Sequence, residues 1–331
     1  LDGGFDDADH VREDLFFFAG NTHLPMEQHA TLAHFDADER LPVWSSTQTP
    51  HYLHRALARV LAPLPAARIC VIACPNGGGF GGKTVIYLEP IAVRLSQRAG
   101  RPVKLVMDRD EVFRATGPTS GTRIKVKMGV SNDGKITAAE VWMAFEAGAY
   151  AGSPVGAAGM TVIAAYDIPH FLVEGYDVVC NKPRVAAYRA PGAPMAAFAV
   201  ESVVDDLARS IDMDPIDLRL ANAAVEGTQA SYGPKFPRIG FVETLEAIKE
   251  HPNYTAELGP NQGRGVAAGF WFNAGMSSSA TVHVNENGTA TVVTGSPDIG
   301  GSRQSMALMA AEELGIPYES IKPVVADTET V

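Results

Sequence analysis

The chain has 331 residues, 46% of them hydrophobic and 20% charged, which suits a folded protein of roughly two domains with a sizeable core. Its 38 acidic and 27 basic residues give a formal net charge of -11, and no Lys/Arg cluster interrupts it, which argues against a nucleic-acid surface and leaves small molecules or proteins as partners. Cys70, Cys74 and Cys180 fit buried thiols in a reducing, cytoplasmic setting better than a disulfide framework, and no apolar run reaches the ~18 residues of a membrane span.

Residues 1–14 carry six Asp/Glu and two glycines without periodicity and read as an exposed connector, with Phe16-Phe17-Phe18 beginning the folded part. His23, Glu27, His29 and His34 follow at a spacing that matches no standard metal-ligand pattern, so they read as solvated or hydrogen-bonded side chains. Residues 41–48 form a short strand ending in Ser46-Thr47-Gln48, a good place for a binding side chain, and a helix is expected over residues 50–61. An apolar strand over 68–74 then leads to Gly77-Gly78-Gly79-Phe80-Gly81-Gly82-Lys83-Thr84 and an amphipathic segment over 84–99, stopped by Gly100 and Pro102.

A strand, a glycine loop and a helix make a ready anion site, because the loop lets backbone N–H groups approach a ligand and the helix adds its own unpaired N–H groups and positive dipole end. Gly77, Gly82, Lys83 and Thr84 also fill the fixed places of G-x-x-x-x-G-K-[ST], and Asp108 could serve as a magnesium-holding acid at the end of the next strand. The loop by itself is equally a nucleotide P-loop, another phosphate cradle or a structural turn.

Further along, residues 124–130 and 136–145 flank Asn132-Asp133-Gly134 as a β-hairpin. Residues 147–160 are dominated by glycine and alanine and must pack closely on something or be a mobile loop. Residues 181–194 hold Arg184, Arg189 and three prolines ahead of a helix over 195–211, whose inward side chains are expected to be Phe198, Val203, Leu207 and Ile211. A guanidinium in such a rigid loop can hold an anion or polarise a carbonyl oxygen; a plain surface arginine is the other reading. Asp214-Pro215 caps and starts another helix, and one more is expected over 240–250. A second hairpin turns at Asn285–Gly288, and its return strand ends in Gly295-Ser296-Pro297-Asp298-Ile299-Gly300-Gly301-Ser302 before a helix over 303–314. These two glycine loops read as two cradles of one site.

In this order, Ser46-Thr47-Gln48, the loop 77–83, Gly100-Arg101-Pro102-Val103 with Asp108-Arg109-Asp110-Glu111, Ala187-Tyr188-Arg189, Met213-Asp214-Pro215 with Leu218-Arg219, and the loop 295–302 resemble the molybdopterin-binding large subunits of the xanthine dehydrogenase, aldehyde oxidase and nicotinate dehydrogenase group, the molybdenum hydroxylases. The resemblance runs through most of residues 15–331 and makes the P-loop pattern a coincidence of glycines and a lysine. It implies an α+β fold, a mixed α/β molybdopterin-binding architecture with glycine loops at strand-to-helix turns. A first such domain is expected over 15–227, carrying the loop 77–83 and the Arg189 loop. The connection and the incomplete start of a second, with the loop 295–302, are expected over 228–331.

By the same resemblance, Gln48 lies near a molybdenum oxo group, and Gly79, Phe80, Gly81 and Gly82 contact the metal's ligands. Arg189 holds substrate, Thr84 lines the substrate side, and Gly300, Gly301 and Ser302 pack on the pterin and its diphosphate. Gln48 and Arg189 are thus the candidate catalytic residues, and no side chain ligates the metal directly. The implied reaction is hydroxylation of an electron-poor carbon, in an aromatic N-heterocycle or an aldehyde, with water supplying the oxygen. The implied cofactor is molybdopterin, as the cytosine dinucleotide, with molybdenum; electrons leave through 2Fe-2S and FAD groups on partner subunits. Thr84 stands where purine hydroxylases have glutamate, Ala190 where carbon monoxide dehydrogenases have cysteine, and Gly301 where many members have glutamine. The family's catalytic glutamate is expected in a Gly-Glu motif beyond Val331, so the chain is expected to work only with a partner chain, the second half of the molybdenum subunit, or with the missing C-terminal part of one polypeptide; the non-enzymatic alternative is a scaffold half-subunit that supplies half a cofactor cradle.

Overall fold

The computed structural model describes residues 1–272, 277–325 and 327–330. Contacts divide the chain into two units, each assembled from separated stretches: Leu1–Asn21, Ser120–Val185 and Ala190–Ala274 in the first, and Thr22–Thr119, Ala186–Arg189 and Gly275–Val331 in the second.

The first unit is built on the hairpin expected around Asn132-Asp133-Gly134, now Thr122–Val130 and Ile136–Gly148, paired Thr122 to Phe145 and Val126 to Val141. Alternation puts Ile124, Val126, Met128, Val141, Met143 and Phe145 into the core, where the helix Ala193–Ser210 covers them with Ala196, Val200, Val203, Val204 and Leu207. Each of the Val, Ile, Leu, Met and Phe side chains contributes about 1.5–3 kcal/mol when fully removed from water. Phe198 does not point inward as expected: it is 51% exposed and meets Phe16 edge-on at 5.6 Å. The buried stripe is rotated onto the small residues Ala196 and Ala199, which let helix and sheet approach closely.

Residues 1–14 are not a connector. Asp2–Asp6 is a helical turn, and His10–Phe18 is a strand antiparallel to Thr122–Val130, with His10 opposite Val130. Glu13 is exposed and pairs with Lys125 at 3.8 Å, while Asp14, half-buried on the face that carries Phe16 and Phe18, is bonded to Arg12. The ladder needs only backbone groups, so an edge strand with a solvated face carries no apolar alternation to read. On the other edge, His170–Val179 runs parallel to Ile136–Gly148. The Gly/Ala-rich segment packs: it contains the helix Val155–Thr161, Ala158 is buried, and a Cβ at Gly192 would lie 2.6 Å from the Pro154 carbonyl.

In the second unit a four-stranded sheet orders Ile69–Ala73, Leu41–Ser45, Ala30–Ala33 and Val103–Val106, the first two parallel and the other pairs antiparallel. Helices Pro50–Val60 and Glu89–Ala99 bury Leu53, Leu57, Ala92 and Val93 against Leu41, Val43, Ile69 and Val71. A three-stranded sheet places Ala290–Thr294 between Ala280–Val284, antiparallel, and Ile321–Val325, parallel, with the helix Ser302–Leu314 on a small core of Ala290, Val292, Ala307, Ala311 and Ile321. The mixed α+β class read from sequence is the observed one.

Candidate functional site

The strands Leu41–Ser45 and Ile69–Ala73 are parallel, so the segments leaving them, Ser46-Thr47-Gln48 and the first glycine loop, emerge at the same end of the sheet. That end, beyond the carboxyl termini of parallel strands, is where α/β sheets hold ligands. Gln48 is bound to the loop at three points. Its backbone N–H donates to the Lys83 carbonyl at 2.9 Å, and its side-chain Oε1 accepts from the N–H groups of Gly81 at 2.9 Å and Lys83 at 3.1 Å. Two N–H donors fix which end of the amide is oxygen. The Nε2 group is then left with no partner among the described residues, a donor pair at the loop surface.

The glycines serve protein packing as much as ligand approach. A Cβ at Gly79 would overlap the Gln48 amide, one at Gly81 (φ +100°) would overlap the Ala187 carbonyl, and one at Gly77 would come within 2.6 Å of the Glu27 Cβ. Glu27 also accepts from the Gly77 N–H at 2.9 Å and from Lys83 Nζ at 2.6 Å. This leaves the N–H groups of Gly78, Gly79 and Phe80 without partners among the described residues, on a backbone with φ +107° at Gly78 and 54° at Phe80. Successive free amides on a turn of this kind form a concave anion site.

Three features rule against a nucleotide P-loop. The Lys83 side chain is 1% exposed and ion-paired to Glu27, with its pKa lowered by burial, partly offset by that partner, so it cannot reach a phosphate. The helix begins at Glu89, five residues later than expected, with Pro90 in its first turn, because Pro90 has no N–H to give to an earlier turn. Asp108 is the N-cap of the helix Arg109–Ala115, accepting from the Glu111 N–H at 2.8 Å within a capping box. Thr84 is also turned inward: its hydroxyl donates to the Gly81 carbonyl at 2.7 Å.

Arg189 reaches the same loop from 106 residues later in the chain. Its N–H donates to the Phe80 carbonyl at 2.9 Å. Its side chain is exposed and has no ion pair among the described residues. Phe80 (φ 54°), Arg189 (φ 24°) and Ala190 (φ 56°) all adopt left-handed backbone, which costs a non-glycine residue about 1–3 kcal/mol and persists only where surroundings over-determine it. His23 Nε2–H donates to the Ala187 carbonyl at 2.6 Å, and His29 Nε2–H donates to the Gly82 carbonyl at 3.2 Å. Burial lowers the pKa of both imidazoles, partly countered by these bonds.

The second loop also follows a strand of a parallel pair, Ala290–Thr294, and is tied to the first: the Asn76 N–H donates to the Asp298 carbonyl at 2.8 Å, while Asn76 Nδ2 holds the Ser46 carbonyl at 2.6 Å. Gly300 and Gly301 have φ +121° and +88°, and a Cβ on either would meet nothing within 4 Å. Their N–H groups are already taken, at 3.3 and 2.9 Å, by the Asp298 carboxylate. Burial works against the charge of Asp298, but these N–H groups and Arg303 at 3.4 Å bring its pKa below the usual value. The first-turn N–H groups of the helix Ser302–Leu314 remain for a guest.

All the sequence-predicted positions, Gln48, Gly79 to Gly82, Thr84, Arg189 and Gly300 to Ser302, therefore fall in the second unit. Sequence reasoning missed His23, Glu27, Asn76 and Asp298 as the residues that hold them. Asp298 had a local signal, an Asp two and three residues before a Gly-Gly pair, which is an Asx-turn pattern. His23 had none, since its partner is 164 residues away.

Family models of the molybdopterin cofactor-binding domain match residues 1–223 and 242–331. The chain belongs to the molybdopterin cofactor-binding family. It is 33% identical over 322 residues to the xanthine dehydrogenase molybdenum-binding subunit of Escherichia coli O157:H7, covering 91% of this chain and 43% of that protein. It is 32% identical over 254 residues to the nicotinate dehydrogenase large molybdopterin subunit of Eubacterium barkeri, covering 76% and 60%. The solved aldehyde oxidoreductase from Desulfovibrio gigas superposes with a TM-score of 0.85 over 99% of this chain and 38% of that one, at 24% identity, a likeness of fold. The chain thus spans 43% and 60% of the two curated relatives' lengths.

The residues fit the cofactor of this family. An oxygen-rich, anionic pterin phosphate asks for N–H donors and for cations that are not already neutralised. The amides of Gly78, Gly79 and Phe80 and the Nε2 group of Gln48, without partners among the described residues, and the first turn of the helix Ser302–Leu314 would be such donors, and Arg189, without an ion pair among the described residues, is a cation left free beside them.

Proposed function

We propose that this chain is part of a molybdenum hydroxylase large subunit that hydroxylates an electron-poor carbon of an aromatic N-heterocycle bearing a carboxylate, nicotinate-like, with water as the oxygen source. The observation that carries it is Arg189: an exposed guanidinium, free of ion pairs among the described residues, on a strained turn bonded to the Phe80 carbonyl beside Gln48. Its planar fork can take a carboxylate through two parallel hydrogen bonds and fix the ring's orientation. Bound molybdopterin, in the proposed cytosine dinucleotide form, supplies oxygen transfer and two-electron redox chemistry. The amides of Gly78, Gly79 and Phe80 and the Nε2 of Gln48 orient that group, and the Ser302 helix end receives its phosphates. Thr84 brings no negative charge to the substrate side, and with its proton on Gly81 it offers only an acceptor, which disfavours purines. The remainder of the molybdenum subunit, an iron-sulfur subunit with 2Fe-2S and an FAD subunit complete the enzyme in this reading. The three free thiols agree with a cytoplasmic complex.

An aldehyde is the second reading, supported by the same Arg189 facing a carbonyl oxygen and by the fold likeness to an aldehyde oxidoreductase. Steady-state kinetics of the complete complex with nicotinate, xanthine and an aldehyde test the choice. Arg189→Lys keeps the charge and loses the fork, so kcat/KM for nicotinate is expected to fall by about 1.5–3 kcal/mol, roughly ten- to a hundredfold. Xanthine as best substrate, or an unimpaired Lys variant, overturns the assignment.

A further inference from the structure

The segment that carries Arg189 is held on the glycine loop at three points, and one side chain touches both partners. His23 Nε2–H donates to the Ala187 carbonyl at 2.6 Å, its ring meets Tyr188 edge-on at 4.8 Å, and it lies so close under the loop that a Cβ at Gly82 would come within 2.8 Å of its Cγ. The other two points are the Arg189 N–H on the Phe80 carbonyl and the bare Gly81, against which the Ala187 carbonyl packs. His23 is 7% exposed, so water does not stand in for its bond. A carbonyl only accepts, so Nε2 carries a proton in this bond, and burial, which lowers the pKa of the ring, favours the neutral form. The turn it holds runs directly into left-handed backbone at Arg189 and Ala190, a conformation that reverts to an ordinary one when its supports are removed.

We propose that His23 is a positioning residue for Arg189: through Ala187 and Tyr188 it holds the turn that aims the guanidinium, without touching substrate itself. The functional half of this inference rests on the reading of Arg189 as the substrate's anion anchor. The structural half, that His23 holds the turn, stands without it.

The test uses the complete complex with His23→Phe, which fills the space without an N–H donor, and His23→Gln, whose amide N–H restores one at similar reach. Trypsin cleavage at the Arg189–Ala190 bond, followed by mass spectrometry, reads the turn. Molybdenum per chain reads the cofactor, and KM against kcat for a carboxylate-bearing and a neutral heterocycle reads the anchor. In His23→Phe, cleavage after Arg189 is expected to accelerate about tenfold and KM for the acid to rise about tenfold, the loss of one buried hydrogen bond and its geometry, while molybdenum content, kcat and the neutral substrate's KM stay within about threefold. His23→Gln is expected to recover most of both effects. If His23→Phe yields no folded complex, His23→Asn, too short to reach Ala187, is read in its place. An unchanged cleavage rate, or a uniform loss of molybdenum and of both substrates that Gln does not rescue, overturns the positioning role. Arg189→Ala run alongside keeps the two readings apart: an unchanged KM for the acid there sinks the anchor reading alone, because the cleavage result in His23→Phe does not depend on it.

Discussion

Gln48 illustrates how much one side chain decides. By accepting from Gly81 and Lys83 it occupies the amides that would otherwise face an anion, and it leaves its own Nε2 outward instead, so the loop's donor is a side chain as well as backbone. Two neutral imidazoles lie beneath. His23 and His29 are each 7% exposed, and burial holds their pKa values below the ordinary imidazole value, with Lys83 adding to the lowering at His29 and Glu27 opposing it. The folded state therefore refuses protons that the unfolded chain accepts, so stability present at neutral pH is lost as pH falls below about 6.5. We expect urea midpoints to drop between about pH 7.5 and 5.5, with the drop blunted in a His23→Gln/His29→Gln double variant. A parent whose midpoint does not move across that interval refutes the assignment of neutral rings.

At the scale of elements, the second glycine loop is braced by its own carboxylate ahead of a helix start. Asp298 gathers the N–H groups of Gly300 and Gly301 and ties the loop, through its own carbonyl, to Asn76 ahead of the first loop. Asp298→Ala frees two amides and removes a charge beside the helix Ser302–Leu314, which we expect to cost about 1.5–3 kcal/mol, as for hydrogen bonds to a charged group. Denaturation with urea measures it. Asp298→Asn, which keeps an acceptor, is expected to lose less, and equal losses in the two variants would point to packing instead. The hairpins were legible here, because Asn132-Asp133-Gly134 and Asn285–Gly288 are local turn chemistry flanked by alternation. The start of the helix at Glu89 was not, since residues 84–88 keep helical spacing of apolar groups yet belong to the loop's turns.

For the molecule as a whole, long-range polar contacts do what local pattern cannot. In the first unit Arg219, with no side-chain exposure, bonds Glu201 and Asp205 at 2.8 Å, the Pro215 carbonyl at 2.9 Å and the Val266 carbonyl at 2.9 Å, while Glu201 also takes the Tyr166 hydroxyl at 2.5 Å and the Ala268 N–H at 2.6 Å. Burial pushes the Tyr166 pKa far up, and works against the Arg219 charge, which its acidic neighbours nevertheless hold firmly on. Arg219→Met takes the cation away from the Glu201 and Asp205 carboxylates and a donor away from the Pro215 and Val266 carbonyls, and we expect a loss of about 3–5 kcal/mol, as for breaking a buried pair, partly recovered by adding Glu201→Gln. A loss below about 1 kcal/mol in equilibrium unfolding would show the network to be dispensable.

What the sequence determined alone is whatever rests on neighbours in the chain: the two turns, the Asp214-Pro215 cap, the long helix expected over 195–211 and found as Ala193–Ser210, and two glycine loops at the ends of strands. Motif order across the chain also carried the family, because spacing survives where side-chain contacts are unseen. Tertiary structure decided which loop amides stay free, that Lys83 is spent on Glu27, that His10–Phe18 is a strand, and that Arg189 sits on Phe80 with His23 beneath it. Each of these is a pairing across many residues, set by burial and by the need to satisfy backbone donors and acceptors, and no local window of sequence contains both partners.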